Sequence, residues 1–102
     1  MIVYSVTVAI DDSIEQDWVN WMKEVHIPEV MATGKFIDFR FCRVFPHHED
    51  DNKSYNISYR CKDMETYEDY QNNDSPALQE DHTKRYEGKF AAFRTILEQI
   101  AE

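Results

Sequence analysis

The sequence predicts an α+β fold in which one antiparallel sheet carries all of its helices on the same face. Three observations lead to this fold class. An uncharged strand pattern opens the chain, two further strand patterns flank a charged turn, and amphipathic helical patterns stand before and after that hairpin. At 102 residues the chain is long enough for one modest core, so we expect residues 1–102 to form a single domain.

The first strand is predicted from Ile2 to Ile10, where two alternating sets of side chains are both free of charge. Such a pattern is typical of a strand covered on both faces. The oxygen side chains of Asp11-Asp12-Ser13 can then accept the unpaired N–H groups of a helix start, so we expect a helix from about Ser13.

That first helix is predicted to be amphipathic. Its apolar arc consists of Ile14, Trp18, Trp21, Met22 and Val25. His26 lies at the flank of the arc, one turn after Met22. Pro28 lacks an N–H group and disfavours helical backbone at Ile27, so we expect the helix to break there, to resume as a short turn from Pro28 to Thr33 and to end at Gly34.

A hairpin follows, with one strand from Lys35 to Phe45 and its return from Tyr55 to Lys62. If the turn is centred near Asp51 and Asn52, Cys42 and Cys61 are cross-strand neighbours. After the hairpin, Asp63 can cap a helix that ends by Asn73. The pair Ser75-Pro76 starts another helix, which Gly88 ends.

The last stretch, KFAAFRTILEQIAE, has helical spacing when taken alone. Topology favours a strand instead, because a fourth strand completes a split βαβ arrangement. The predicted order is therefore β-α-β-β-α-α-β, a ferredoxin-like fold. We expect many large apolar and aromatic side chains on the sheet face opposite the helices, and hence a homodimer formed through that open face.

Charge and composition exclude several classes of function. The net charge of −9 repels phosphate backbones, so we expect no nucleic-acid partner, and no apolar run is long enough to indicate a membrane partner. The chain begins directly with a strand pattern, which predicts a cytoplasmic protein. Two cysteines are too few for a disulfide scaffold, so we expect reduced thiols.

The whole chain resembles the dimeric α/β-barrel superfamily. More narrowly, the segments MIVYSVTV, WMKEVHIPEVMATGKF, Arg40–Arg43, LQEDH and KFAAFRTILE resemble a small bacterial family, known mainly from Bacteroidetes, that is a domain of unknown function. The resemblance implies a ferredoxin-like fold and a homodimer, and no activity. The wider superfamily includes cofactor-independent monooxygenases, haem-degrading enzymes, lactone isomerases and plain ligand-binding proteins, among which fold analogy does not choose.

Two histidines on apolar helix faces, His26 and His82, are the candidate catalytic residues, because imidazole titrates near neutral pH. The alternative is that each is a hydrogen-bonded histidine at the edge of the core. The candidate ligand-binding residues are Trp18, Trp21, Met22, Tyr67, Tyr86 and Arg85. The aromatic members of this set are equally explained as core.

Other groups carry weaker signals. The strand arginines Arg40, Arg43, Arg60 and Arg94 either hold a carboxylate or pair with acids across a dimer interface, and we favour the interface. The run His47–Asp51 has metal-ligand chemistry but is interpreted as a solvated turn, so we expect no metal. No glycine-rich phosphate loop is present, and we expect no cofactor.

Two functions remain open. The first is a homodimeric module that binds a small hydrophobic ligand or a protein partner, and it is the one we favour because no residue pattern requires catalysis. The alternative is a cofactor-independent enzyme, similar to the monooxygenases or isomerases of the superfamily, that acts on a small hydrophobic or aromatic substrate with His26 and His82 in its cleft.

Overall fold

The computed structural model describes residues 1–45 and 53–101, and it confirms the predicted ferredoxin-like order of elements. The strands are β1 (Ile2–Ile10), β2 (Asp38–Val44), β3 (Lys53–Cys61) and β4 (Phe90–Glu98). The helices are α1 (Glu15–Trp21), α2 (Ile27–Ala32), α3 (Met64–Asn73) and α4 (Ser75–Tyr86), with a 3₁₀ turn at Asp12–Ile14 and a π-helical segment at Met22–His26. In the part of the chain that is described, no helix has the length and hydrophobicity to cross a membrane.

The four strands form one antiparallel sheet in the order β2-β3-β1-β4. The final segment is a strand, as topology predicted: β4 pairs along all of β1, from Ile2 opposite Glu98 to Ile10 opposite Phe90. Its helical spacing is overridden because the unpaired edge of β1 offers a full row of backbone hydrogen bonds.

The core lies between the helices and one face of the sheet. From β1 and β3 it takes alternate residues, the buried ones being Ile2, Tyr4, Val8, Ile10, Tyr55, Ile57, Tyr59 and Cys61. From the first helical stretch it takes Trp18, Met22, Ile27 and Val30. Aromatic rings fill much of the space, including Tyr4 stacked on Tyr59 with ring centroids 5.9 Å apart.

The predicted helix break at Pro28 is wrong, because the chain stays helical from α1 through α2. A π-helical segment accommodates the proline: the N–H of Ile27 bonds the carbonyl of Met22, five residues back. The wider turn fits the apolar pattern, since Met22 and Ile27 are both buried while Val25 is only half-buried. A helical wheel with the regular α-helical period therefore predicts that Val25 lies in the core, whereas the structure buries Ile27 there.

The predicted hairpin register is also wrong. Cys42 lies opposite Asn56, and Cys61 lies opposite Ile2 on the other neighbouring strand. The displacement from the predicted pairing is odd, so it reverses which residues of β2 and β3 share a face. In the observed register Phe41 pairs with Ile57 on the helix side, whereas the predicted register would have put Phe41 on the polar face of β3.

The open face of the sheet is more polar than predicted. Its centre is a hydrogen-bonded group in which Asn56 Nδ2 donates to Ser5 Oγ (2.9 Å) and Thr7 Oγ1 (3.1 Å), and Ser58 Oγ donates to Asn56 Oδ1 (2.8 Å). The expected large apolar surface is reduced to exposed residues on the two edge strands, namely Val44, Phe93 and Leu97. The aromatic residues of the hairpin lie on the helix side instead.

Candidate functional site

A small cavity of about 50 Å³ lies between the helices and the sheet. It is lined by Tyr4, Val6, Val8, Met22, His26, Val30, Ile57, Tyr59, Tyr70, Leu78, Gln79, His82, Thr83, Phe90, Ala92 and Arg94. One water molecule needs roughly 10–15 Å³ of cavity volume, so this cavity holds only a few non-hydrogen atoms unless its walls move. Both predicted catalytic histidines are among its lining residues, together with the predicted ligand contact Met22.

His26 reaches the cavity from the last position of the π-helical segment. Its half-buried ring stacks on Trp21, with centroids 5.2 Å apart. The imidazole forms no hydrogen bond with any of the residues in 1–45 and 53–101. The ring nitrogens of His26 nevertheless remain accessible to solvent, because the buried side-chain nitrogen and oxygen atoms without a partner in the described residues are limited to Gln99 Oε1.

His82 reaches the cavity from α4 and is buried. Its Nε2 accepts a hydrogen bond of 2.9 Å from the indole Nε1 of Trp18. Because the indole can only donate, the neutral imidazole carries its proton on Nδ1. The ring of His82 meets that of Phe90 edge to face at 4.4 Å, and the two histidine rings are 5.8 Å apart.

Both imidazoles are neutral at physiological pH. Burial lowers the pKa of His26 to about 4, with the charge of Arg94 acting in the same direction and that of Asp81 opposing it. Burial likewise lowers the pKa of His82 to about 4, helped by the nearby His26 and Arg94. In this state each ring offers one N–H donor and one acceptor, and neither is a strong base at pH 7.

Arg94 supplies the only formal positive charge in the cavity lining, and it comes from the helix-facing side of β4. Its Nε donates to the hydroxyl of Tyr4 at 3.0 Å. No carboxylate among residues 1–45 and 53–101 lies within 4.0 Å of its guanidinium. Two other strand arginines differ from Arg94, because Arg43 and Arg60 pair within the chain with Glu15 and Asp38 and not, as predicted, with acids across a dimer interface.

The other predicted ligand-binding residues lie outside the cavity lining. Trp18 is fully buried in the core, where it packs on Tyr55 with centroids 5.3 Å apart, and its indole bonds the lining residue His82. Tyr67 of α3 packs against the lining residue Tyr4, with ring centroids 5.3 Å apart, and does not itself line the cavity. The apolar stripe on the first helix is thus mainly core.

A second group of predicted residues forms a surface cluster at the ends of α1 and α4. The guanidinium of Arg85 lies 5.5 Å from the ring centroids of both Trp21 and Tyr86. Asp17 accepts a hydrogen bond of 2.8 Å from the Tyr86 hydroxyl and lies 3.4 Å from Arg85. These contacts join the two helices beside His26, and none of the four residues lines the cavity.

Several lining residues were missed as site residues from the sequence, among them Tyr4, Tyr70, Gln79 and Thr83. One signal was available for Arg94: it is the sole charged residue between Phe90 and Ile96, in a strand whose alternate positions pack under helices. The candidate metal segment His47–Asp51 lies outside the described residues. Within the described ranges, no group of three or more histidine, cysteine or acidic residues is arranged to hold a metal ion.

Solved structures with the same fold share little sequence with this chain. A dimeric ferredoxin-like protein from an uncultured marine organism matches with a TM-score of 0.73 and 14% identity, covering 100% of this chain and 97% of the other. An ethyl tert-butyl ether d (EthD) family protein from Bacillus halodurans gives 0.72 and 17%, covering 98% and 100%. A mutant of MhuD with two manganese protoporphyrin IX molecules bound per active site gives 0.71 and 14%, covering 100% and 97%.

These identities are low enough that the similarity is one of fold alone. No curated protein matches the sequence. The model of a sequence family described as "Domain of unknown function (DUF4286)" matches residues 1–100, and the chain belongs to that family.

Proposed function

We propose that the protein binds a small, largely apolar ligand in the cavity between the helices and the sheet. One observation carries the proposal: His26 lines the cavity, is half-buried, and has no hydrogen-bond partner among the described residues. Its ring nitrogens are accessible to solvent and have no partner there, so they are available to bond a ligand in the cavity. The surrounding walls are mostly apolar, as in small-molecule sites with a few polar groups that fix orientation.

The size of the cavity limits the ligand. About 50 Å³ admits one small group, and a larger ligand needs neighbouring side chains to move. Leu78 and Gln79 of α4 are suited to this because both line the cavity and are only half-buried. We therefore expect either a small ligand or a larger one that opens α4 at this point.

We further propose that the protein is a homodimer formed through the open face of the sheet. A protein of the same fold is described as dimeric, and Phe93 and Leu97 form an exposed apolar strip on that face of β4. Phe93→Glu is expected to give the monomer mass by light scattering, because it places a charge in the proposed interface. Met64→Glu, at an exposed position of α3 in the helix layer, is the matched control and should leave the mass unchanged.

The second candidate is a cofactor-independent monooxygenase- or isomerase-like enzyme with His26 and His82 as its catalytic groups. The two rings lie 5.8 Å apart in one cavity, close enough to act on one substrate. Their lowered pKa values make them weak bases in the free protein, which favours binding over proton abstraction. Conversion of a bound phenolic or enolisable compound in air, lost in His26→Leu, would favour the enzyme.

The binding proposal is tested with protein labelled at its methionine methyl groups with ¹³C. Met22 lines the cavity and Met64 is exposed on α3, so the two signals report on the site and on the surface. In a titration with a panel of small aromatic fragments, we expect the Met22 methyl signal to shift and that of Met64 to stay in place.

Neighbouring alanines of β4 give a matched pair of controls. Ala92 lines the cavity, whereas Ala91 lies on the open face. Ala92→Leu fills the cavity and should abolish the response of Met22, while Ala91→Leu should preserve it. A wild-type protein whose Met22 signal responds to none of the fragments would overturn the proposal.

A further inference from the structure

We infer that the ligand of this cavity is a carboxylic acid, whose carboxylate is held by Arg94 and Tyr4. This inference rests on the proposed binding function and adds the chemical class of the ligand. It is carried by the charge of the lining, by the pairing of Arg94, and by the hydrogen-bond geometry at Tyr4.

The charge of the cavity is opposite to that of the protein. The chain has 20 acidic residues against 11 lysines and arginines, yet no aspartate or glutamate lines the cavity. The lining contains one arginine and two histidines. In an anionic protein, a recess that is free of acids and holds a guanidinium provides a local environment in which an anion is favoured.

Arg94 differs in its pairing from most of the arginines on the described part of the chain. Arg43, Arg60 and Arg85 each form an ion pair with an acid of the same chain. Arg94 has no such partner there, and its guanidinium forms one hydrogen bond, from Nε to the Tyr4 hydroxyl. The terminal nitrogens of the guanidinium are thus left to bind an acceptor, and a carboxylate is the acceptor that matches their planar geometry.

Tyr4 adds a second donor at the same place. Its hydroxyl accepts from Arg94 Nε, so the hydroxyl proton remains to be donated. Tyr4 is only 3% exposed and lines the cavity. A carboxylate beside Arg94 therefore receives hydrogen bonds from the exposed guanidinium and from the buried phenol together.

The position of Arg94 relative to the histidines fits the same ligand. Arg94, His26 and His82 line the same cavity, and the charge of Arg94 contributes to lowering the pKa of both histidines. The acid that acts on His26, Asp81, lies on the exposed side of α4 and is not part of the lining. The carboxylate then lies at Arg94, and the apolar body of the ligand lies among the walls near His26 and Met22.

The test compares benzoate with benzamide, which has nearly the same shape and no charge. Each is titrated into the wild-type protein while the Met22 methyl signal is followed. We expect benzoate to bind at least about tenfold more tightly, as a charge-assisted hydrogen bond requires. Arg94→Gln should reduce the affinity for benzoate to that for benzamide and leave benzamide binding unchanged, whereas Arg40→Gln on the open face should change neither.

Tyr4→Phe provides a second variant that keeps the buried ring. It should weaken benzoate binding several-fold and leave benzamide binding unchanged. Thermal unfolding of each variant checks that the fold is retained. Equal affinities for the two probes, or binding of benzoate that survives Arg94→Gln, would overturn the inference while leaving the binding proposal intact. Failure of every fragment to shift Met22 would overturn the binding proposal itself.

Discussion

The indole of Trp18 donates a hydrogen bond to Nε2 of His82 across 2.9 Å, joining the first helix to the last in the interior of the protein. Trp18 has no exposed surface, and His82 is almost as deeply buried. The bond sets the tautomer of His82 and directs its remaining N–H away from the indole. A residue that is plainly part of the core thereby determines the chemistry that His82 presents to the cavity.

Trp18→Phe is expected to destabilise the fold by about 1–3 kcal/mol, because it leaves the buried Nε2 of His82 without a donor and also removes ring volume. The measurement is urea unfolding at pH 7, together with the ¹⁵N shifts of the His82 ring. Those shifts should change from one tautomer to a mixture. Trp21→Phe is the control, because Trp21 is half-buried and contacts His82 only through its ring. A single unchanged tautomer in Trp18→Phe would contradict this prediction.

Stability is expected to fall as the pH is lowered from 6.5 toward 4. Each cavity histidine has a pKa of about 4 when folded and about 6.5 when unfolded, so the unfolded chain binds more protons throughout this interval. The stabilisation is fully present above pH 6.5 and is lost progressively below it. For the buried His82 the total is roughly 3 kcal/mol, and His26 adds less because it is more exposed.

Urea unfolding at pH 7, 6 and 5 measures this dependence. The interval separates the histidines from the carboxylates of Asp11, Asp38, Asp63 and Asp69, whose lowered pKa values affect stability only in more acidic solution. His26→Leu should show a shallower loss than the wild type. If the two curves run parallel, the assignment of this pH dependence to His26 is wrong.

Much of the fold was predictable because its strongest signals are local. The uncharged alternation in β1, the cap at Asp63 and the Ser75-Pro76 start of α4 were each confirmed within a few residues. Asp63 accepts from the backbone N–H of Thr66 at 2.8 Å, as a capping aspartate should. Only β4 required a non-local argument, and the completion of the sheet supplied it.

The errors arise where long-range packing decides between local alternatives. The hairpin register depends on which residues of β2 meet the core, and the position of the turn alone did not determine it. The π-helical segment buries Ile27 and leaves Val25 half-buried. A regular period of 3.6 residues per turn does not predict this choice. At the site, His26, His82 and Met22 line one cavity, while the placement of Arg94 required knowledge of the β1–β4 pairing. The catalytic role of the histidines stays a prediction.

Replacing Gly34 by alanine is expected to cost about 1 kcal/mol. Gly34 has a φ of +76°, and a Cβ built there meets no atom within 4 Å, so the cost is that of the left-handed backbone alone. Gly88, which has the same φ and equally open surroundings, should give a similar loss and serves as a replicate. Gly34→Asn should cost less, because asparagine tolerates this conformation. Urea unfolding measures all three, and an unchanged stability in both alanine variants would contradict the assigned conformation.

The two cysteines are expected to differ in reactivity and not to form an intramolecular disulfide. Cys61 is fully buried, and burial raises the pKa of its thiol, so it should resist iodoacetamide until the protein unfolds. Cys42 is exposed on the edge strand and should be labelled first in dilute protein. Because Cys42 lies opposite Asn56 and Cys61 opposite Ile2, oxidation should not join them.

Mass spectrometry of peptides labelled before and after unfolding measures both properties, with Cys42→Ser as the control that should show no adduct in the folded state. An intramolecular Cys42–Cys61 disulfide formed under native conditions would contradict this prediction. It would bring Cys42 opposite Cys61, five residues along β3 from its observed partner Asn56.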